Sequence, residues 1–146
     1  MHFNFKKTMK NILVLCTGNS CRSQMAEGFL RDLTDKNDFT IYSAGTNNVP
    51  VNQQAINVML EDDIDISNQT SNNVSEYGNI NFDYVLTVCE NAKQNQPVFN
   101  GNPILLHYDF PDPAQTKGSD NEIYFQFITV REMIKMFCED FVEENL

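Results

Sequence analysis

The chain opens its ordered pattern with Asn11-Ile12-Leu13-Val14-Leu15, a run of apolar residues with no polar alternation. Continuous apolarity over so short a stretch predicts a strand buried on both faces. It passes directly into Cys16-Thr17-Gly18-Asn19-Ser20-Cys21-Arg22-Ser23, a polar loop of small residues. Met25, Phe29, Leu30 and Leu33 then recur at helical spacing, with Glu27, Arg31 and Asp32 between them. A second strand is predicted at Phe39-Thr40-Ile41-Tyr42-Ser43, closed by Ala44-Gly45 and Pro50. Ala55, Ile56, Met59 and Leu60 mark a helix over Gln53 to Asp62, and Ser71 to Tyr77 reads as a short helix capped by Ser71. Asp83 to Cys89 and Ile104 to Tyr108 read as the third and fourth strands, joined by a polar stretch, Glu90 to Asn95, that Pro97 closes. After a loop containing Asp109-Phe110-Pro111-Asp112-Pro113, the positions Ile123, Phe127, Val130, Ile134, Phe137 and Phe141 keep a helical rhythm to the end. Strands alternating with helices predict a parallel α/β sheet with right-handed crossovers. Ligands of such sheets bind beyond the carboxyl ends of the strands. Cys16, Cys89 and Asp112 all fall there.

The 146 residues fit a single domain, expected over 10–146 behind an N-terminal extension at 1–9. Ten Lys and Arg against twenty Asp and Glu give a net charge of −10. That balance argues against nucleic acid and against anionic membrane surfaces, both of which draw on Lys and Arg. No window approaches the ~20 apolar residues of a membrane span. With no secretory leader to be read, a cytoplasmic location is expected. Four scattered cysteines, Cys16, Cys21, Cys89 and Cys138, do not form a disulfide scaffold, and in a reducing compartment they are thiols. With two histidines, His2 and His107, and no zinc-like spacing, no metal site is expected.

Chemistry concentrates in the first loop. A loop of small residues between a buried strand and a helix N-terminus turns its backbone N–H groups inward as an anion nest, and the helix dipole adds positive potential. Thr17, Gly18, Asn19, Ser20, Cys21 and Arg22 form that nest, with the Arg22 fork for a tetrahedral oxyanion. Cys16 at its start is expected to be a low-pKa thiolate placed for in-line attack on phosphorus or arsenic, with Ser23 donating to the sulfur. Asp112, fixed by Pro113, is the candidate proton donor to a leaving oxygen.

The stretch Cys16 to Glu27 resembles the signature of the low-molecular-weight protein tyrosine phosphatase superfamily. Thr17, Ser20 and Gln24-Met25-Ala26-Glu27-Gly28 look most like its thioredoxin-coupled arsenate reductases. The resemblance continues through Ser43-Ala44-Gly45, Asp65-Ile66-Ser67-Asn68, Val85 to Cys89, Phe110 to Ala114 and Val130-Arg131. It implies a three-layer αβα fold with a central four-stranded parallel sheet. It also implies that Cys16 attacks arsenate, that Cys89 attacks Cys16, and that arsenite leaves as a Cys16–Cys89 disulfide forms. Catalytic roles then fall on Cys16, Arg22, Ser23, Asp112 and Cys89. No tightly bound cofactor is implied.

The sequence departs from that branch at Gln96, where a third, resolving cysteine would precede Pro97. An external thiol, thioredoxin or glutathione, must then open the disulfide directly. Gln69 stands where the reductases usually have His, and Asn72 where some have an Asp at a potassium site that Asn19, Glu27 and Ser43 otherwise match. A phosphatase remains the alternative, through a Cys16 phosphocysteine with Asp112 as acid. Against a phosphotyrosine enzyme, Ala114-Gln115 replaces the aromatics that grip a tyrosine ring. A third reading is a non-enzymatic oxyanion binder or redox sensor, in which Cys21 forms a protective disulfide with Cys16.

Overall fold

The computed structural model describes residues 8–146. The extension expected over 1–9 therefore lies outside the described residues, apart from Thr8 and Met9, which lead into the first strand. Four strands, β1 (Lys10–Cys16), β2 (Phe39–Gly45), β3 (Tyr84–Thr87) and β4 (Ile104–His107), alternate with helices α1 (Arg22–Leu33), α2 (Gln53–Glu61), α3 (Glu90–Gln94) and α4 (Asp120–Asn145). The sheet is parallel throughout, in the order β2-β1-β3-β4. Ile12, Leu13, Val14 and Leu15 are fully buried, as the unbroken apolar run required of a central strand. Each such side chain contributes about 1.5–3 kcal/mol by leaving water.

The chain runs from β1 outward to β2, then returns to the other side of β1 to lay down β3. The direction of winding reverses between β1 and β3, and such a switch point leaves a crevice at the carboxyl ends of the two strands. Leu15 pairs with Thr87 across the two strands, which brings Cys16 and the Val88–Cys89 segment to the same end.

Helices cover the sheet in the layered arrangement expected. Phe127, Val130, Ile134, Cys138 and Phe141 form the buried stripe of α4, against which α1 packs. Arg131 Nη1 donates to Val58 O at 2.8 Å and ties α4 to α2. Gly28 permits close approach of α1 to the Ile64–Ile66 segment, since a Cβ there would stand 2.7 Å from Ile66 Cγ2.

Three local expectations are corrected. The element expected over Ser71–Tyr77 is a single 3-10 turn, Val74–Tyr77, whose cap is Asn73 rather than Ser71. Asn73 Oδ1 accepts from Ser75 N, and Glu76 reaches back to Asn73 N at 2.7 Å, a reciprocal box that competes successfully with the hydroxyl of Ser71. The polar stretch after the third strand contains the short helix α3, capped by the sulfur of Cys89, a residue type with no reputation as a cap. The third strand ends at Thr87, so Cys89 is the helix cap and not the last strand residue.

Candidate active site

β1 delivers Cys16 to the mouth of the crevice, and the chain turns through Thr17–Cys21 into α1. The turn needs a left-handed residue, and Asn19 takes it at φ 51°. Asn19 is wholly buried. Its Nδ2 donates to Ser23 Oγ at 2.8 Å and to Ser43 Oγ at 2.9 Å, while its Oδ1 accepts from Asn72 N at 2.8 Å. Ser43 in turn donates to Glu27 Oε1 at 2.5 Å, and Arg31 Nε pairs with Glu27 Oε2 at 2.8 Å. Gln24 Nε2 donates to Asn19 O and to Thr70 O, and Gln69 Nε2 donates to Gln24 Oε1. The floor of the loop is thus held by a polar network spanning α1, β2 and the 69–72 segment. Gly45 lies directly beneath: a Cβ there would stand 2.5 Å from Thr17 O and 2.9 Å from Asn19 N.

Above this floor is a cleft of about 280 Å³. Cys16, Thr17, Gly18, Ser20, Cys21 and Arg22 line its base, and Asp112 stands at its edge. Asn19, expected at the oxyanion, and Ser23, expected to donate to the Cys16 sulfur, are absent from that lining: both are fully buried, and the Asn19 side chain works as a strut. Because Ser23 Oγ accepts from Asn19, its own proton is left to donate elsewhere. The Arg22 side chain is 12% exposed. Nη1 donates to Phe110 O at 2.9 Å, and Nη2 stands 3.7 Å from Asp112 Oδ2. Asp112 Oδ1 accepts from Ala114 N at 3.0 Å, which fixes the carboxyl at the start of the Pro113–Gln115 turn.

Cys89 is absent from the cleft lining but meets Cys16, sulfur against sulfur within hydrogen-bond reach. Both residues are 3% exposed. Thr17 Oγ1 stands 3.2 Å from Cys89 Sγ and 3.2 Å from Asn91 Oδ1, so its single proton serves one of them at a time. Ala92 N donates to Cys89 Sγ at 3.4 Å. This corrects the expected location of the charge. The thiol of Cys16, donating to Cys89 and buried, is pushed well above the ordinary range despite Arg22. Cys89 is lowered to about 5 by that donated hydrogen bond and by those of Thr17 and Ala92, against the cost of burial. Two thiols sharing one proton place the first negative charge on the sulfur with more donors. Sequence reasoning missed this because two of the three donors, Cys16 and Thr17, reach Cys89 from the far end of another loop. Cys21 is pushed up to about 12 by burial and by the Asp112 carboxylate. Cys138 is fully buried against α1, its Sγ 3.8 Å from Ala26 O, remote from the cleft lining.

The sequence model for the low molecular weight phosphotyrosine protein phosphatase family matches residues 11–146. The chain belongs to that family. Within it, the chain is 42% identical to an arsenate reductase of Staphylococcus xylosus over 132 residues, 90% of this chain and 95% of that protein. It is 40% identical to an arsenate reductase of Halalkalibacterium halodurans, over 92% and 96% of the two chains. A solved arsenate reductase in the oxidized state superposes with a TM-score of 0.79 at 30% identity, covering 93% of this chain and 98% of that one. A low molecular weight protein tyrosine phosphatase from T. tengcongensis superposes with a TM-score of 0.77 at 23% identity, which speaks to the fold. Family members of both names therefore share this architecture. The described residues contain no helix long and apolar enough to cross a membrane.

Proposed function

We propose that this family member reduces arsenate to arsenite with Cys16 and Cys89. One observation carries the reading: the sulfur at the base of the cleft is backed by a second sulfur that bears the lower pKa. A phosphatase needs a single nucleophile, whereas reduction needs a second thiolate poised behind the first. Arsenate occupies the loop nest and draws Arg22 away from Asp112 and Phe110. The Cys16 proton passes to an arsenate oxygen as the sulfur attacks arsenic, and Asp112 supplies a proton to the oxygen that leaves as water. Cys89 then attacks Cys16 Sγ. The sulfur–arsenic bond breaks with its electron pair on arsenic, arsenite departs as As(III), and a Cys16–Cys89 disulfide remains. Two thiols are oxidised for one arsenate reduced.

The test adds arsenate to the fully reduced protein without any other reductant and maps disulfides by mass spectrometry. A Cys16–Cys89 bridge that requires arsenate supports the reading. Four free thiols after arsenate exposure overturn it.

The second reading, phosphatase chemistry, draws on the Arg22–Asp112 pair at the cleft, since a carboxyl group beside an oxyanion clamp serves phosphate esters equally. Hydrolysis of an aryl phosphate that is lost in Cys16→Ser supports it. The two activities can coexist, because their first covalent steps use the same sulfur.

A further inference from the structure

The two edges of the sheet are finished differently. At β2, Arg31 Nη2 donates to Ile41 O at 3.0 Å, and Gly45 is bridged to Asn73, so polar groups of that edge have partners. At β4, Ile104 N donates to Asp83 O and Tyr108 N to Thr87 O, both on the β3 side. Successive residues of a strand turn their N–H and C=O groups to opposite sides, so Leu105 and His107 aim theirs away from β3. Among the described residues nothing accepts from Leu105 N or His107 N. Sheet edges are ordinarily guarded by charged side chains, bulges or a covering element. The strand Ile104–His107 has no Lys, Arg, Asp or Glu, and Ile104 and Leu105 are 52% and 53% exposed. Val98, 100% exposed, joins Pro97, Phe99, Pro103 and Leu105 around a hollow of about 420 Å³ beside it.

This edge is complementary to itself. Laid antiparallel on a copy about a two-fold axis at Leu106, Leu105 of each copy exchanges N–H and C=O bonds with His107 of the other. The same register sets Ile104 opposite Tyr108 and Leu106 opposite Leu106, the aliphatic and aromatic cross-strand pairs that stabilise antiparallel ladders. Neighbouring registers are worse. Centring on Leu105 brings in Pro103, which has no N–H to give. Centring on His107 brings in Asp109 of both copies. Charge permits the approach, since the run from Gln94 to Tyr108 contains no Asp, Glu, Lys or Arg although the chain carries −10. The acidic groups lie to the side: Asp140 and Glu144 line the groove between β4 and α4, and Glu90 stands 3.2 Å from His107 Nε2.

We infer that the β4 edge is an interface for a second copy of this chain, joined antiparallel through Leu105 and His107 so that the two four-stranded sheets run on as one. The exposed side chains of Val98, Ile104 and Leu105 leave water at that contact. The interface is small, so the dimer is a reversible one. It is independent of the reaction at the cleft, which lies at the carboxyl end of β1 rather than along β4.

The experiment measures sedimentation velocity of the reduced full chain from about 1 to about 500 μM, with amide hydrogen exchange at both ends of that range. The expected result is a monomer at the low end and a dimer at the high end. Exchange at Leu105 and His107 should slow at least about tenfold in the dimer, with Ile104 and Leu106, already bonded to β3, changing less. Raising salt from about 0.05 to about 0.5 M screens the repulsion between two acidic copies and should strengthen the dimer. Leu105→Lys guards the edge with a charge at a half-exposed position; it should raise the dissociation constant at least about tenfold while the urea midpoint of the monomer holds. A chain that stays monomeric at about 500 μM overturns the inference. So does a dimer that Leu105→Lys leaves intact, or one that salt weakens. Leu105 and His107 amides protected equally at every concentration would show that another segment of the same chain covers the edge, which also overturns it.

Discussion

The shared proton between Cys16 and Cys89 yields a measurable ionisation at an unusual pH. An ordinary thiol with pKa 9 is about 1% ionised at pH 7, whereas one at about 5 is about 99% ionised. Reduced protein should therefore show one thiolate by ultraviolet absorbance across neutral pH, titrating in near pH 5. Cys16→Ala removes the largest stabilising donor, so the remaining Cys89 ionisation should rise by about a unit or more. Cys89→Ala should abolish the acidic ionisation. The stability consequence has a definite sign. A folded-state pKa depressed to about 5 contributes stability that is full above the unfolded value of 9 and is lost as pH falls toward 5. Cys16 runs the other way: its raised pKa leaves its contribution intact below 9 and erodes it above. Their combined contribution to urea midpoints should therefore rise from pH 5 toward 9 and decline beyond. A first thiol ionisation near pH 9, or an acidic ionisation that survives Cys89→Ala and vanishes in Cys16→Ala, would refute the placement of charge on Cys89.

Gly45→Ala forces a Cβ against Thr17 O and Asn19 N, backbone atoms that cannot rotate away; it should cost about 1–3 kcal/mol in urea unfolding and weaken phosphate binding measured by calorimetry. Asp112→Asn keeps the hydrogen bond from Ala114 N but cannot transfer a proton, so any aryl phosphate hydrolysis should fall by about 100- to 10,000-fold with little change in midpoint. Cys89→Ser should stop arsenate-dependent thiol loss while leaving Cys16 able to form an adduct, read by mass spectrometry of the trapped protein. Ser119→Ala removes the cap of α4, whose Oγ accepts from Glu122 N at 3.2 Å, and should cost about 1 kcal/mol without altering chemistry at the cleft.

Much of this protein is written locally. The run Ile12–Leu15 has no polar alternation, so a strand buried on both faces follows from composition alone. The loop from Cys16 to Ser23 carries its small residues, its arginine and its helix start within a few positions, so an oxyanion nest is legible without any knowledge of the rest. The α4 stripe is equally local, since Phe127, Val130, Ile134 and Phe141 repeat at the helical period. Distance along the chain is what hid the remainder. The order β2-β1-β3-β4, which creates the switch-point crevice, depends on which edge of the sheet β3 joins. The meeting of Cys16 with Cys89, 73 positions apart, follows from that order and from the register of Leu15 with Thr87. The charge on the pair follows in turn from donors on Thr17, Cys16 and Ala92 that no local pattern brings together. Sequence determined the elements and the small-residue loop with its cysteine and arginine, because these depend on neighbours along the chain. Tertiary structure decided which sulfur lines the cleft and which receives the stabilising hydrogen bonds, because these depend on contacts between segments far apart in sequence.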